Sequence, residues 1–356
     1  MLAEMNALGL SPSFNVGLNR GFSGIWMEGG TMGSKVLVTG GYGCIGAETV
    51  KWLLENTPLE IVIASRTVSA ERTARAFYGL DHDRLQAVSL DISKAEQVNE
   101  LFSAHDFSHV IHLAAFQTPD CNAHRDRGLQ INLAGTQHLI EAIKQSSKSI
   151  ERFVFASSIA VYGPRSQYPP GVVSSESEPS PGAPYGIWKL AGEQLSRVFH
   201  QETGVPTICL RPAVLYGPGR DLGLTSSPTT AMKHVVLGTP YKIPFCSRQD
   251  FQFAPDVGAT TGMIATESFD GFGVYTLPSH CLSIERMVEK MRDVAEHIQG
   301  IEPPQISVGD EEVPFICDLE SQKILDRFPS IPQTSIDDGI RRTLETFCLQ
   351  HKLGWL

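Results

Sequence analysis

The stretch Lys35-Val-Leu-Val-Thr-Gly-Gly-Tyr-Gly-Cys-Ile-Gly46 decides the fold, because it joins a short apolar run directly to closely spaced glycines. Residues 35–39 predict a buried strand, and residues 46–55 have the apolar spacing of a helix. A strand that ends in a glycine loop and leads into a helix is typical of the start of a βαβ unit. The stretch therefore predicts an α/β fold.

The glycines of this loop satisfy two overlapping phosphate-loop spacings, one through Gly40, Gly43 and Gly46 and one that starts at Gly41. Glycine permits a positive-φ turn and lets the backbone approach a pyrophosphate closely, and the helix presents free N–H groups to that anion. A plain tight turn is the alternative, but the strand–loop–helix order favours dinucleotide binding. The candidate cofactor-binding residues of the loop are Gly40, Gly43, Cys44, Ile45 and Gly46.

Short apolar runs then alternate with helical patterns as far as residue 217. The runs are Lys35–Thr39, Glu60–Ala64, Ala87–Leu90, Val110–Leu113, Phe153–Ala156 and Pro206–Leu210. This alternation predicts a doubly wound parallel sheet, the Rossmann fold. We expect a dinucleotide-binding domain over 34–217 and a smaller C-terminal substrate-binding lobe over 218–356, with parts of the two interleaved. Residues 1–33 are rich in Gly, Ser and Asn and predict a disordered extension.

The composition of the chain argues against several classes of partner and site. The formal charge of −10 argues against nucleic acid or an anionic membrane surface as a partner. The seven cysteines are odd in number and lack C-x-x-C spacing, and the eleven histidines show no ligand spacing, so we expect no metal site. A reducing, cytoplasmic location suits such a chain.

The end of the second strand bears on the choice of cofactor. An NAD site usually has a carboxylate about 20 residues past the glycines, whereas this chain has Ser65-Arg66. A guanidinium can pair with a 2′-phosphate, so the sequence favours NADP over NAD. A solvated surface cation is the alternative. Asp91 could accept a hydrogen bond from adenine, or it could simply cap a helix.

A catalytic set follows in chain order. Tyr185 and Lys189 are four residues apart, which places them on one face of a helix. A nearby Lys⁺ would lower the pKa of the tyrosine and suit it to acid–base work. Ser158 follows the fifth strand, where its hydroxyl can donate to a substrate oxygen. A serine at this place is otherwise a common turn residue.

With these motifs in order, the chain resembles the extended short-chain dehydrogenase/reductase family, in its NAD-dependent epimerase/dehydratase branch. The resemblance runs from about Lys35 to Phe347. Its further carriers are His112-Leu-Ala-Ala115, Ile131-Asn-Leu-Ala-Gly-Thr136, Leu210-Arg-Pro212 and Tyr216-Gly-Pro218.

The resemblance implies Ser158 and Tyr185 on the substrate oxygen and Lys189 on the nicotinamide ribose. It also implies a homodimer that packs through helices around 125–144 and 185–200. The further cofactor-binding residues that it implies are Asp91, Ile92, Leu113, Ala114, Ala115, Asn132, Tyr185 and Lys189.

Departures from the family pattern bear on the substrate. Relatives that act on nucleotide sugars usually have Asn at the position of Val214, and dehydratases tend to have acidic residues where Ile159 and Ala160 follow the serine. The first departure disfavours nucleotide sugars as substrates, and the second disfavours elimination chemistry. The candidate residues for binding a small polyol or sugar acid are Gln117, Ser158, Arg211 and Arg220, although an exposed polar loop explains the last of these equally well.

Three functions stay open. The first is an NAD(P)-dependent oxidoreductase that transfers hydride at a secondary alcohol or ketone of a small sugar-like, polyol or hydroxy-acid substrate. The second is an NAD-dependent epimerase that acts on a sugar or a nucleotide sugar. The third is a non-catalytic NAD(P)-binding sensor, which ranks last because Tyr185 and Lys189 are both present.

Overall fold

The computed structural model describes residues 34–146, 149–313 and 315–356, so the extension predicted over residues 1–33 lies outside the described residues. The strands are β1 (Lys35–Thr39), β2 (Glu60–Ser65), β3 (Leu85–Ser89), β4 (His109–His112), β5 (Arg152–Ala156), β6 (Thr207–Arg211), β7 (Val214–Tyr216), β8 (Tyr241–Phe245), β9 (Gln249–Phe253), β10 (Phe272–Thr276), β11 (His280–Leu282) and β12 (Ile306–Glu311). The α-helices are α1 (Cys44–Asn56), α2 (Ala70–Ala76), α3 (Ala95–Ala104), α4 (Thr118–Ala123), α5 (Arg125–Leu129), α6 (Gly135–Gln145), α7 (Pro184–Thr203), α8 (Ser227–Leu237), α9 (Ala254–Thr266), α10 (Ile284–Ala295), α11 (Gln322–Arg327) and α12 (Ile336–Lys352).

A parallel sheet of seven strands forms the centre of the fold, in the order β3-β2-β1-β4-β5-β6-β10. Leu37 of β1 lies opposite Val62 on one side and Val110 on the other. All six strands predicted from the apolar runs are present, with ends that differ by at most two residues. The prediction of a Rossmann sheet is confirmed.

Both faces of the sheet are covered, which explains why its strands are apolar throughout. Val36 and Val38 face a core that includes Leu53 of α1, whereas Leu37 between them faces a core with Leu139 of α6. Each fully buried side chain of this kind contributes roughly 1.5–3 kcal/mol. Two apolar layers therefore hold helices on opposite faces, as a doubly wound sheet requires.

Part of the chain beyond residue 217 returns to this sheet. Strand β10 pairs with β6, so that Tyr275 lies opposite Leu210. Helix α9 packs closely on α1, and a Cβ at Gly262 would collide with the ring of Trp52. Residues 254–276 thus extend the sheet and one of its layers.

The remaining segments beyond residue 213 form smaller sheets around a third core. Strands β7, β9 and β11 make one sheet, and β8 pairs with β12 in another. Phe251, Met287 and Phe347 are fully buried in the core beneath them. Across the described ranges, no helix combines the length and apolar character needed to cross a membrane.

Candidate active site

A cavity of about 530 Å³ opens along the carboxyl ends of the central strands, within the usual size of a ligand site. Nearly all the residues predicted to bind cofactor or substrate line it. Those residues are Gly40, Gly43, Cys44, Ile45, Gly46, Ser65, Arg66, Asp91, Ile92, Leu113, Ala114, Ala115, Gln117, Ser158, Tyr185, Lys189 and Arg220. The cavity lining does not include Asn132 or Arg211.

The glycine loop forms the floor of one end of this cavity. Gly40 has a φ of 71°, a conformation that disfavours a side chain, and a Cβ there would lie 3.0 Å from the nitrogen of Ala114. A Cβ at Gly46 would collide with the carbonyl oxygen of Gly40. Because no side chain fills the cradle above the first turn of α1, a pyrophosphate can reach the N–H groups there.

Arg66 and Asp91 lie at the same end. The guanidinium carbon of Arg66 is 5.4 Å from the ring centroid of Phe116, and the Arg66 side chain is exposed. The carboxylate of Asp91 accepts hydrogen bonds from the backbone nitrogen and the hydroxyl of Ser93, at 3.1 and 2.7 Å. Asp91 therefore stabilises its own turn while it lines the cavity.

Tyr185 and Lys189 meet at the other end of the cavity. Pro184 begins α7, so Tyr185 lies in the first turn and Lys189 one turn later on the same face. The Ser158 side chain lies beside the Tyr185 hydroxyl and lowers its pKa. The Lys189 Nζ lies 5.7 Å from the Tyr185 ring centroid and donates to the carbonyl oxygen of Ala156 at 2.6 Å. The structure thus brings the predicted catalytic set together.

The pKa of Tyr185 differs from the expectation drawn from sequence. Burial raises the pKa of Tyr185, and this outweighs the effects of Ser158 and the positive charge of Arg220, which both lower it. Lys189 was expected to lower the pKa of Tyr185, but its Nζ donates a hydrogen bond to the Ala156 carbonyl. Burial lowers the pKa of Lys189 itself to about 8. Ser158 and Arg220 are the neighbours that lower the pKa of Tyr185, and the role expected of Lys189 stays a prediction.

Arg220 is a cation inside the cavity. One of its terminal nitrogens donates to the Thr225 hydroxyl at 3.1 Å. Its Nε is buried and has no hydrogen-bond partner among the described residues. An unpaired buried donor is costly, so this side chain is suited to receive an anionic group from a ligand.

Arg211 and Asn132 are placed elsewhere. The guanidinium of Arg211 forms a bidentate salt bridge with the buried Glu193 carboxylate, with N–O distances of 2.7 and 2.8 Å. It also donates a hydrogen bond to the Tyr162 hydroxyl. Asn132 accepts a hydrogen bond from the Phe116 nitrogen at 2.7 Å and donates to its carbonyl oxygen at 3.0 Å. Both side chains hold neighbouring segments in place, so the structure does not bring Arg211 to the substrate or Asn132 to the cofactor.

Sequence reasoning missed a buried polar chain at the junction of β1 and β4. His112 lies between the hydroxyls of Thr39 and Thr136, at 2.8 and 3.1 Å. The Thr39 hydroxyl in turn accepts from the backbone nitrogens of Leu113 and Ala114, which line the cavity. Burial lowers the pKa of His112 to about 3, so the imidazole is neutral. His112 belongs to the quoted His-Leu-Ala-Ala stretch, but no spacing in the sequence shows its partners.

Comparison with known proteins identifies the family to which the chain belongs. Residues 36–270 match the model of the NAD-dependent epimerase/dehydratase family. The chain belongs to this family. It is therefore an NAD(P)-dependent enzyme of the extended short-chain dehydrogenase/reductase type, as the ordered motifs predicted.

Members of this family with different activities resemble the chain to a similar extent. The dTDP-glucose 4,6-dehydratase of Shigella flexneri is 24% identical over 88% of this chain and 92% of that protein. The D-erythronate dehydrogenase of Cupriavidus necator is 27% identical over 73% of this chain and 82% of that protein. The structure of Thermus thermophilus UDP-glucose 4-epimerase in complex with NAD superposes with a TM-score of 0.74 at 24% identity, covering 88% of this chain and 98% of that one. This last likeness shows the shared fold.

Proposed function

We propose that this family member is a dehydrogenase or reductase that moves a hydride at a secondary alcohol or ketone of a small hydroxy acid or sugar-like substrate. The observation that carries the proposal is the buried Tyr185, which lines with Ser158 one end of a cavity whose other end is the glycine cradle. A proton donor and a dinucleotide cradle in one cavity are the two requirements of this reaction.

When bound, the nicotinamide supplies or accepts the hydride. The residues of the chain transfer a proton to or from the substrate oxygen and donate hydrogen bonds to it. In the oxidation direction Tyr185 takes the proton of the alcohol, and in reduction it returns a proton to the carbonyl oxygen. Ser158 donates to the same oxygen and stabilises the negative charge that develops there. Lys189, fixed by the Ala156 carbonyl, is placed to contact the cofactor ribose.

Arg220 supports an acidic substrate. Arg220 and Tyr185 line the same cavity, and the charge of Arg220 lowers the pKa of Tyr185. A carboxylate at the buried guanidinium would satisfy its unpaired Nε and leave a nearby hydroxyl at the tyrosine. The likeness to a protein named D-erythronate dehydrogenase is consistent with this substrate class.

The choice between NAD and NADP is a finer proposal. Ser65 and Arg66 offer no carboxylate to a ribose and one cation to a 2′-phosphate, which supports NADP. The NAD in related structures gives that preference no support. We expect Arg66→Gln to weaken NADP(H) binding by roughly tenfold or more, the scale of a charge-assisted hydrogen bond, and to leave NAD(H) binding unchanged.

Fluorescence titration of the reduced cofactors measures this expectation, with Arg125→Gln, an exposed cation outside the cavity, as the control. Equal affinities of wild type and Arg66→Gln for NADPH would remove the proposed role of Arg66.

A nucleotide-sugar epimerase is the second candidate, because relatives with this kind of activity share the family and the fold. Val214 argues against it, since this apolar side chain lines the cavity where an amide would anchor a diphosphate. Ile159 is likewise buried beside Ser158 and offers no acid for elimination chemistry.

A screen of sugars, sugar acids and hydroxy acids separates these candidates. Net formation of reduced nicotinamide, followed by its absorbance, supports the dehydrogenase. Isomer formation without net cofactor change, together with tight binding of UDP, supports the epimerase. We further propose that the reaction occurs in the cytoplasm, because all the cysteines are free thiols.

A further inference from the structure

Just outside the lining of the cavity described above, two thiols from distant parts of the chain meet in the smaller lobe. Cysteine spacing predicts no such cluster, yet the sulfurs of Cys281 and Cys317 and a carboxylate oxygen of Asp318 all lie within 4.8 Å of one another. Cys281 belongs to β11 and is partly exposed, whereas Cys317 is buried in the segment that follows β12.

Two guanidiniums adjoin this cluster and are matched by the carboxylates of Asp250 and Asp318. A terminal nitrogen of Arg248 donates to the Cys281 sulfur at 3.3 Å and to the Asp318 carboxylate at 2.8 Å. Arg165 contacts the other carboxylate oxygen of Asp318 at 3.4 Å.

The interaction between the two thiols, together with burial, raises the pKa of Cys281, whereas that interaction lowers the pKa of Cys317. Cys317 is therefore the sulfur that favours the thiolate, the reactive form of cysteine. Two guanidiniums on the Asp318 carboxylate would also have to be displaced by a metal cation, so the arrangement favours thiol chemistry over metal binding.

The backbone fixes the turn that presents Cys317. Asp318 has a φ of 62°, and among the described residues it is the one non-glycine residue with positive φ. The Asp250 carboxylate holds this turn by accepting from the nitrogens of Asp318 and Leu319, at 2.9 and 3.0 Å. Asp250 lies directly opposite Cys281 in the β9–β11 pairing. A turn held in a left-handed conformation by the strand beside Cys281 keeps the two sulfurs facing each other.

We propose that Cys281 and Cys317 form a redox-active pair that a hydroperoxide oxidises to a disulfide. The Cys317 thiolate attacks one oxygen of hydrogen peroxide, the O–O bond breaks, and water leaves once the released oxygen is protonated. Cys317 is then a sulfenic acid. The sulfur of the partly exposed Cys281 attacks the sulfur of Cys317, the S–O bond breaks, and the thiol proton leaves with the hydroxyl as a second water. Two thiols are oxidised to one disulfide while one peroxide is reduced to two waters.

The disulfide would act on the wall of the large cavity. Phe315 and Ile316, which immediately precede Cys317, line that cavity. A disulfide holds its sulfurs about 2 Å apart, so oxidation ties this wall to β11. Other thiols near the cofactor site are poor competitors, since burial raises the pKa of Cys44 to about 12 and that of Cys121 to about 11.

The test treats the reduced full chain with one equivalent of hydrogen peroxide, alkylates the remaining thiols and maps peptides by mass spectrometry. We expect a linked peptide pair containing Cys281 and Cys317 that dithiothreitol releases. It should be absent from Cys281→Ser and from Cys317→Ser, and present in the control Cys246→Ser. Hydrogen exchange of residues 315–320 should slow on oxidation in the wild type and stay unchanged in Cys281→Ser.

The following results would contradict the proposed redox pair. Alkylation of both thiols after oxidation, or linkage of either one to a different cysteine, would overturn the pair. Unchanged exchange of residues 315–320 in a linked protein would overturn its action on the cavity wall. Stoichiometric Zn²⁺ binding in equilibrium dialysis that protects both thiols from peroxide would make the cluster a metal site instead. These measurements use no substrate, so they stand apart from any test of the dehydrogenase activity.

Discussion

Tyr185 is positioned by three neighbours of different kinds. Helix α7 brings Lys189 to its face, β5 ends next to Ser158, and the loop after β7 supplies the charge of Arg220. Burial raises the pKa of the Tyr185 phenol, whereas Ser158 and the positive charge of Arg220 lower it. The acid–base chemistry of this residue therefore depends on contacts from several elements.

Tyr185→Phe should lower the rate of hydride transfer by roughly two to four orders of magnitude, because it removes the acid–base group and keeps the ring. Cofactor affinity should stay close to that of the wild type, since the glycine cradle is unaltered. Single-turnover absorbance of the nicotinamide measures the rate, and fluorescence titration measures the affinity. Tyr78→Phe, at a partly exposed tyrosine outside the cavity, is the control. A near-normal rate in Tyr185→Phe would reject the assignment.

Arg220→Met should move the rising limb of the kcat–pH profile for alcohol oxidation toward higher pH. The positive charge of Arg220 lowers the pKa of Tyr185, so its removal leaves burial less opposed and raises that pKa further. Arg220→Lys keeps the charge and should keep the wild-type limb. KM for an acidic substrate should rise in Arg220→Met in addition. A limb that does not move in Arg220→Met would show that the charge does not reach the phenol.

At the scale of elements, the sequence predicted best where function depends on neighbours in the chain. The strand, glycine loop and helix from Lys35 onward are local, and Tyr185 and Lys189 are one helical turn apart. Contacts between distant segments could not be predicted. The Glu193 partner of Arg211 and the return of residues 272–276 to the sheet depend on how separate elements pack. Arg211 was assigned to substrate because the sequence does not show that a carboxylate already holds it.

The His112 chain links β1, β4 and α6, and it should make stability depend on pH. Native His112 takes up a proton only near pH 3, whereas an ordinary histidine does so near 6.5, so between these values the unfolded chain binds more protons. Its contribution is fully present above pH 6.5 and is lost as the pH falls, at most about 1.4 kcal/mol per pH unit.

Urea unfolding at a series of pH values measures this slope. His112→Gln should be less stable at pH 7 because the buried network is disturbed, and it should lose less stability than the wild type between pH 6.5 and 5. The control is His297→Gln, at an exposed histidine, which should keep the wild-type slope. Parallel slopes for His112→Gln and the wild type would contradict the role of His112.

At the scale of the whole molecule, helices α5 and α7 lie side by side and leave apolar side chains exposed. The backbone of Gly128 packs against the Trp188 ring, which holds the two helices together. Leu129, which follows Gly128, and Ile187, which precedes Trp188, are 38% and 50% exposed. Apolar side chains grouped on adjacent helices are suited to cover a second copy of the same surface, as the family resemblance implied.

We therefore expect a homodimer that the double change Leu129→Glu and Ile187→Glu dissociates, because four added charges would lie buried and unpaired in a two-fold interface. Sedimentation equilibrium at micromolar concentration should give twice the chain mass for the wild type and the chain mass for the double variant. Leu237→Glu removes an equally exposed leucine on α8 and should leave the dimer intact. A wild type that sediments as a monomer, or a double variant that stays dimeric, would place the interface elsewhere or exclude it. Since Tyr185 lies two residues from Ile187 on α7, dissociation should also lower activity more than cofactor affinity, and the same samples can be assayed for both.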